Sequence, residues 1–105
     1  MMKEVFRRAA ELISGPGCWT QGSYARSETG TPVTAWSPHA RSWCIFGAIQ
    51  RVTEWDFRMY DRCRDVMTKK VIENGGPSVS VWNDSPGRTQ AEVVAFLEAL
   101  AADGN

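Results

Sequence analysis

The sequence predicts an α+β domain in which about four helices pack on a small antiparallel sheet. Apolar residues recur at helical spacing near both ends of the 105-residue chain, and a Gly/Ser/Thr-rich stretch with turn signals lies between them. Hydrophobic residues make up 43% of the chain and charged residues 23%, as in globular proteins. A chain of this length can build one hydrophobic core but not two. We therefore predict a single domain that covers residues 1–105.

The first predicted elements are a helix and a hairpin. The helix covers residues 2–14, where apolar residues follow one face until Gly15-Pro16 stops it. Residues 19–36 are predicted as an irregular β-hairpin around the turn at residues 27–30. Residues 78–82 alternate apolar and polar side chains, which predicts a strand that pairs with this hairpin.

Three further helices are predicted from their capping signals. Ser37-Pro38 combines a capping residue with a proline at the first helical position, which predicts a second helix to about Trp55. This helix is apolar on nearly every side, so we expect it at the centre of the domain. Asp56 is predicted to cap a third, superficial helix. The capping-box spacing of residues 89–92 predicts a last helix to about Ala102.

Charge and cysteine content restrict the classes of function. Twelve basic residues balance twelve acidic ones, so we expect no long nucleic acid as a partner. The charged N-terminus lacks the apolar run of a signal peptide and no stretch could span a bilayer, so we expect a cytoplasmic protein without membrane contact. Cys18, Cys44 and Cys63 form no Cys-x-x-Cys pair, and His39 is the sole histidine. These residues predict free thiols, no metal site and no cofactor.

The segment from Trp82 to Thr89 is the most informative motif. It leads from Asn83-Asp84 across a glycine-containing turn into a capped helix, and helix starts of this kind bind anions. Arg88 adds a candidate clamp for a phosphate or carboxylate. Turn and cap formation alone also explains these residue types, with Arg88 then paired to Asp84.

Cys44 suggests an alternative, in which its thiol is a nucleophile and His39 is the base. Asn83 or Asp84 would then orient the histidine, as the third group of a catalytic triad does. A helix that begins at its proline places the two side chains about 140° apart, at about 100° per residue, and only a start near Ser42 brings them together. Because its neighbours are apolar, we expect the Cys44 thiol to lie in the middle of a helix face, buried and unreactive.

Three segments of the chain are distinctive in combination. They are AAELI at residues 9–13 leading into WTQG at residues 19–22, RSWCIFGA at residues 41–48 and WNDSPGRT at residues 82–89. Together they resemble a family of short bacterial and phage proteins catalogued as domain of unknown function 6197. The resemblance implies no activity, but it singles out a set of positions. These positions are Trp19, Gln21, Cys44, Gly47, Trp82, Asn83, Asp84, Arg88 and Thr89.

The leading hypothesis is a non-enzymatic accessory protein, encoded by a phage or mobile element, that binds a small anionic or nucleotide-like ligand or a protein partner. Its predicted ligand-binding residues are Trp19, Gln21, Trp82, Asn83, Asp84 and Arg88, gathered at the start of the last helix. The first alternative is a small hydrolase that uses Cys44 and His39. The second is a partner-binding inhibitor or structural subunit whose loop tryptophans form the interface. A homo-oligomer is compatible with each hypothesis.

Overall fold

The computed structural model describes residues 2–54 and 56–103. Over these residues it contains five helices and one three-stranded antiparallel sheet, which confirms the α+β class. The helices are α1 (Met2–Leu12), α2 (Ile45–Thr53), α3 (Phe57–Glu73), α4 (Val79–Asp84) and α5 (Gln90–Ala102). The strands are β1 (Ala25–Ser27), β2 (Pro32–Val33) and β3 (Ala40–Trp43).

The sheet has the strand order β2-β1-β3, and β1 with β2 forms a hairpin within the predicted range of residues 19–36. The outer side of β3 is bridged by the segment that precedes the hairpin. The N–H of Trp43 donates to the carbonyl of Cys18 at 2.9 Å, and the N–H of Thr20 donates to the carbonyl of Trp43 at 3.1 Å. These bonds hold residues 18–20 beside the start of α2.

The predicted second helix is wrong in its first half. Residues 40–43 form β3, and α2 begins only after Cys44, which is its N-cap. Ser37 forms a turn instead, in which its hydroxyl accepts a hydrogen bond from the N–H of His39 at 3.0 Å. Pairing with β1 outweighs the local helical signal because it supplies partners for backbone groups that a helix start leaves unsatisfied. The predicted end of this helix at Trp55 lies outside the described residues.

The predicted strand over residues 78–82 is also wrong, because this segment forms α4. Ser78 caps the helix, and its hydroxyl accepts a hydrogen bond from the N–H of Val81 at 3.2 Å. Val79 and Asn83 are buried and lie four residues apart, so they share one face of this short helix. The third strand of the sheet is therefore β3, which comes from the region predicted as helix.

The hydrophobic core lies mainly among the helices, where α1 packs against α2, α3 and α5. The prediction that α2 is central is confirmed, since Ile45, Ala48 and Ile49 are fully buried. Two capping predictions are also confirmed. Asp56 caps α3 by accepting from the N–H of Met59 at 3.0 Å, and a capping box opens α5. In the part of the chain that the structure describes, no helix has the length and apolar character needed to cross a membrane.

Candidate functional site

Asn83 is buried to 1% exposure and makes hydrogen bonds to three separate segments. Its Oδ1 accepts from the indole Nε1 of Trp19 at 2.9 Å and from the backbone N–H of Ile45 at 3.1 Å. Its Nδ2 donates to the carbonyl of Thr20 at 3.3 Å and to Oδ1 of Asp84 at 2.9 Å. An amide side chain has two donor hydrogens and two acceptor lone pairs, so its hydrogen-bonding capacity is filled.

Neighbouring residues extend this network to the end of α4. The Nε2 of Gln21 donates to the carbonyls of Asn83 at 2.9 Å and Ser85 at 3.1 Å. The N–H of Gly22 donates to Oδ1 of Asp84 at 3.0 Å. The network therefore ties the segment before β1 to the start of α2 and the end of α4. We call it the Asn83 latch, and its members are Trp19, Thr20, Gln21, Gly22, Ile45, Asn83 and Asp84.

Arg88 belongs to a different cluster, on the side of α5. Its Nε donates to the carbonyl of Trp82 at 2.9 Å, and its guanidinium lies 4.2 Å from the centroid of the Trp82 ring. Its Nη1 lies 3.5 Å from Oε2 of Glu92, so the expected ion pair with Asp84 is wrong. The Trp82 ring also packs on Phe96, with ring centroids 4.7 Å apart. The structure thus divides the six predicted ligand-binding residues between this cluster and the latch.

The start of α5 is occupied by its own capping box. Thr89 Oγ1 accepts from the N–H of Glu92 at 3.2 Å, and the carboxylate of Glu92 accepts from the N–H of Thr89 at 2.9 Å. The bond from the Thr89 N–H lowers the pKa of Glu92 from its ordinary value. An anion at this helix start would therefore compete with a carboxylate that the chain supplies itself.

A cleft with a volume of about 270 Å³ opens beside the Asn83 latch, over Cys44. We call it the Cys44 cleft; it is lined by Ser23, Tyr24, Cys44, Phe46, Ser80 and Asp84, and latch residues complete its wall. The side chain of Tyr24 is prominent at the surface, with 52% of the residue exposed. Small-molecule sites usually measure about 300–1,000 Å³, so this cleft suits a smaller group, such as one side chain.

Cys44 lies at the base of this cleft as the N-cap of α2, so its predicted place in the middle of a helix face is wrong. Its Sγ accepts from the N–H of Gly47 at 3.3 Å, and its own N–H donates to the carbonyl of Tyr24 at 3.1 Å. The prediction that it is buried is confirmed, with 9% of the residue exposed. Burial raises the pKa of the Cys44 thiol, and the nearby Asp84 carboxylate acts in the same direction. The thiol is therefore protonated at neutral pH and is a weak nucleophile.

His39 lies outside the Cys44 cleft, in a separate cavity of about 420 Å³ that it shares with Arg41 and hydroxyl groups of the hairpin. The four residues of β3 separate His39 from Cys44 along the chain. A strand rises about 3.3 Å per residue, so the five steps from His39 to Cys44 span roughly 16 Å. The structure therefore does not bring the proposed base and nucleophile together.

The backbone of Tyr24, which lines the cleft, lies close to α2 at Gly47. A Cβ atom on Gly47 would lie 1.9 Å from the carbonyl oxygen of Tyr24, so only glycine allows Tyr24, the residue before β1, to approach α2 this closely. Tyr24, Phe46 and Ser80 are site residues that the sequence pattern did not predict. The one available signal was the glycine three residues after Cys44, because an isolated glycine in an apolar helix often marks a close backbone approach.

Comparison with known protein families finds one family model that matches nearly the whole chain. The model of a family described as "Family of unknown function (DUF6197)" matches residues 2–103. This match confirms the resemblance inferred from the three distinctive segments. No curated protein and no solved structure matches the chain. Within residues 2–54 and 56–103, no group of three His, Cys, Asp or Glu side chains is placed to hold a metal ion.

Proposed function

We infer that this chain, which belongs to the family of unknown function DUF6197, is a small non-enzymatic protein that binds a protein partner through the Cys44 cleft. The observation that carries this proposal is the exposed Tyr24 ring beside a cleft whose wall includes Asn83, a buried residue whose amide makes four hydrogen bonds. Aromatic residues are enriched in interface hot spots, and a rigid support lowers the entropic cost of binding.

An aromatic surface continues from the cleft onto α3. Tyr24 and Phe46 line the cleft, and the Phe46 and Tyr60 rings lie 6.4 Å apart between centroids. Tyr60 and Phe57 in turn line a smaller neighbouring hollow, and Phe57 is 60% exposed. We call Tyr24, Phe46, Tyr60 and Phe57 the aromatic ridge. Its extent beyond the cleft favours a protein partner over a small molecule, because a small molecule would leave most of the ridge uncovered.

The charges in the cleft favour such a partner over a phosphate-bearing ligand. Among the described residues that line the cleft, Asp84 is the charged side chain, and none is an arginine or a lysine. Its carboxylate would repel a nucleotide phosphate. At the start of α5, Arg88 is already engaged by Trp82 and Glu92, so an anion there would have to displace existing contacts.

The loop tryptophans are less suited to the interface than the sequence suggested. Trp19 is half-buried and donates to Asn83, while Trp82 is half-buried against Phe96 and Arg88. A partner would have to disrupt these contacts to use either indole ring. Tyr24 is more exposed than either indole ring and offers aromatic area at the surface.

We also place the protein in the cytoplasm, as an accessory protein of a phage or mobile element. Cys18, Cys44 and Cys63 are free thiols, which suits a reducing compartment. The raised pKa of Cys44 and the distant position of His39 support a binding role over hydrolysis.

Amide NMR titrations test whether ligands bind at the Cys44 cleft or at the start of α5. Short blocked peptides and nucleoside monophosphates would be added separately to the wild-type protein, to Tyr24→Ala and to Arg88→Ala. We expect peptides to shift the amide signals of Tyr24, Cys44 and Phe46, and we expect Tyr24→Ala but not Arg88→Ala to abolish this response. The proposal is wrong if the cleft signals stay unchanged while nucleotides shift the signals of Arg88 and Thr89.

A further inference from the structure

We propose that the Cys44 cleft receives an arginine side chain of the partner protein, a proposal that rests on the binding role inferred above. The central observation concerns the hydrogen bonds of the Asp84 carboxylate. Its Oδ1 accepts from the N–H of Gly22 at 3.0 Å and from Nδ2 of Asn83 at 2.9 Å. These two bonds fix the carboxylate at the edge of the cleft.

The second oxygen of Asp84 is available to a ligand. An ionised carboxylate offers about four acceptor positions, and the two hydrogen bonds to Oδ1 fill two of them. Among the described residues, none of the ion pairs formed by the chain involves Asp84. The fold thus holds the carboxylate in place, and no ion pair among the described residues balances its charge. A fixed, exposed carboxylate in a concave site complements a cationic group.

The remaining lining suits the rest of an arginine side chain. Cys44 and Phe46 supply apolar surface for its methylene stem. The exposed ring of Tyr24 offers a face on which a planar guanidinium can stack. Ser23 and Ser80 add hydroxyl oxygens that can accept the remaining N–H donors. A lysine ammonium would use the carboxylate but would gain less from the aromatic face, because it lacks the planar geometry.

Matched peptides separate charge recognition from binding in general. Acetyl-Gly-Arg-Gly-amide, its lysine analogue and its citrulline analogue would be titrated into the wild-type protein and into Asp84→Asn. Citrulline keeps the shape of arginine without its charge. Asp84→Asn keeps an oxygen that can accept from Gly22 and Asn83, so the latch should persist, which the melting temperature checks.

For the wild-type protein, we expect the arginine peptide to bind about three to ten times more tightly than the citrulline peptide. Asp84→Asn should remove this difference and leave the melting temperature nearly unchanged. Added salt should weaken arginine binding but not citrulline binding.

Three results would overturn the proposal. Equal binding of the arginine and citrulline peptides to the wild-type protein would refute charge recognition and leave the cleft as a binding site. Tighter binding of the lysine peptide would refute the preference for arginine. If no peptide shifts the cleft signals at millimolar concentrations, the arginine proposal and the proposed function both fail. The comparison of peptides on the wild-type protein remains decisive even if Asp84→Asn does not fold.

Discussion

The Asn83 latch and the Cys44 cleft share Asp84, but the fold fills the hydrogen-bonding capacity of their polar groups to different extents. Asn83 is 1% exposed, and both its oxygen and its nitrogen make two hydrogen bonds. In the cleft, the carboxylate of Asp84 keeps free acceptor capacity and Tyr24 is largely exposed. The difference shows that residue type alone does not tell how much of a polar group's hydrogen-bonding capacity the fold uses. Burial and the number of filled hydrogen-bonding positions have to be read from the structure.

The largest expected effect comes from the latch itself. Asn83→Ala would leave the indole N–H of Trp19 and the backbone N–H of Ile45 without their acceptor. Each unsatisfied buried donor costs about 1–3 kcal/mol, so we expect a loss of about 4 kcal/mol in the free energy of unfolding. Urea denaturation measures this loss.

Asn74→Ala is the matched control for that variant, because Asn74 is exposed at the end of α3. It should change the free energy of unfolding by less than about 0.5 kcal/mol. If the two variants have similar stability, water replaces the Asn83 amide easily and the latch does not support the cleft.

Gly47→Ala tests the close contact between α2 and Tyr24, with a somewhat smaller expected effect. Alanine favours a helix by about 1 kcal/mol over glycine, so helix propensity alone predicts stabilisation. A Cβ at this position would lie 1.9 Å from the carbonyl oxygen of Tyr24, and backbone must move to relieve the clash. Because overpacking typically costs about 1–3 kcal/mol or more, we expect a net loss of about 2 kcal/mol. A stabilised variant would show that β1 can move away from α2 freely.

Local signals were sufficient to predict α3 and α5 from sequence. The cap at Asp56 and the capping box between Thr89 and Glu92 involve residues three positions apart, so short-range spacing was sufficient to locate α3 and α5. β3 depends instead on pairing with β1 and on bridging by residues 18–20, which no local pattern specifies. Its residues were therefore assigned to a helix.

The candidate site was predictable only in part, for the same reason. Trp19 and Asn83 lie 64 positions apart in the sequence, and only the family resemblance placed both Gln21 and Asn83 in one set of positions. The structure brings Trp19, Gln21 and Asn83 together, as the hypothesis required, but it directs their polar atoms inward. Tyr24 was missed because its place in the cleft depends on long-range packing beside α2, which no local pattern specifies.

Thr89→Ala probes a polar contact outside both regions, and its effect should be smaller. The Thr89 hydroxyl accepts one helix-start N–H, so its loss should cost about 1 kcal/mol. Thr34→Ala, at an exposed position outside the helices and strands, is the matched control and should be nearly neutral. Chemical denaturation of both variants gives the comparison. A cost of several kcal/mol for Thr89→Ala would mean that the start of α5 contributes as much to stability as the latch does.

Thiol labelling measures how accessible and how reactive Cys44 is at the base of the cleft, beside the latch. Burial raises the pKa of Cys44 above its ordinary value of 9.0, so its thiolate fraction is small at neutral pH and grows only in more alkaline solution. Cys18 is less buried. At pH 7.5 we therefore expect iodoacetamide to modify Cys44 at least about ten times more slowly than Cys18, as measured by mass spectrometry of digested samples. A Cys18→Ser variant isolates the slow signal, and an arginine peptide bound in the cleft should slow it further.

Rapid modification of Cys44 near neutral pH would instead indicate an accessible thiolate. The hydrolase alternative would then regain support, with a base other than His39.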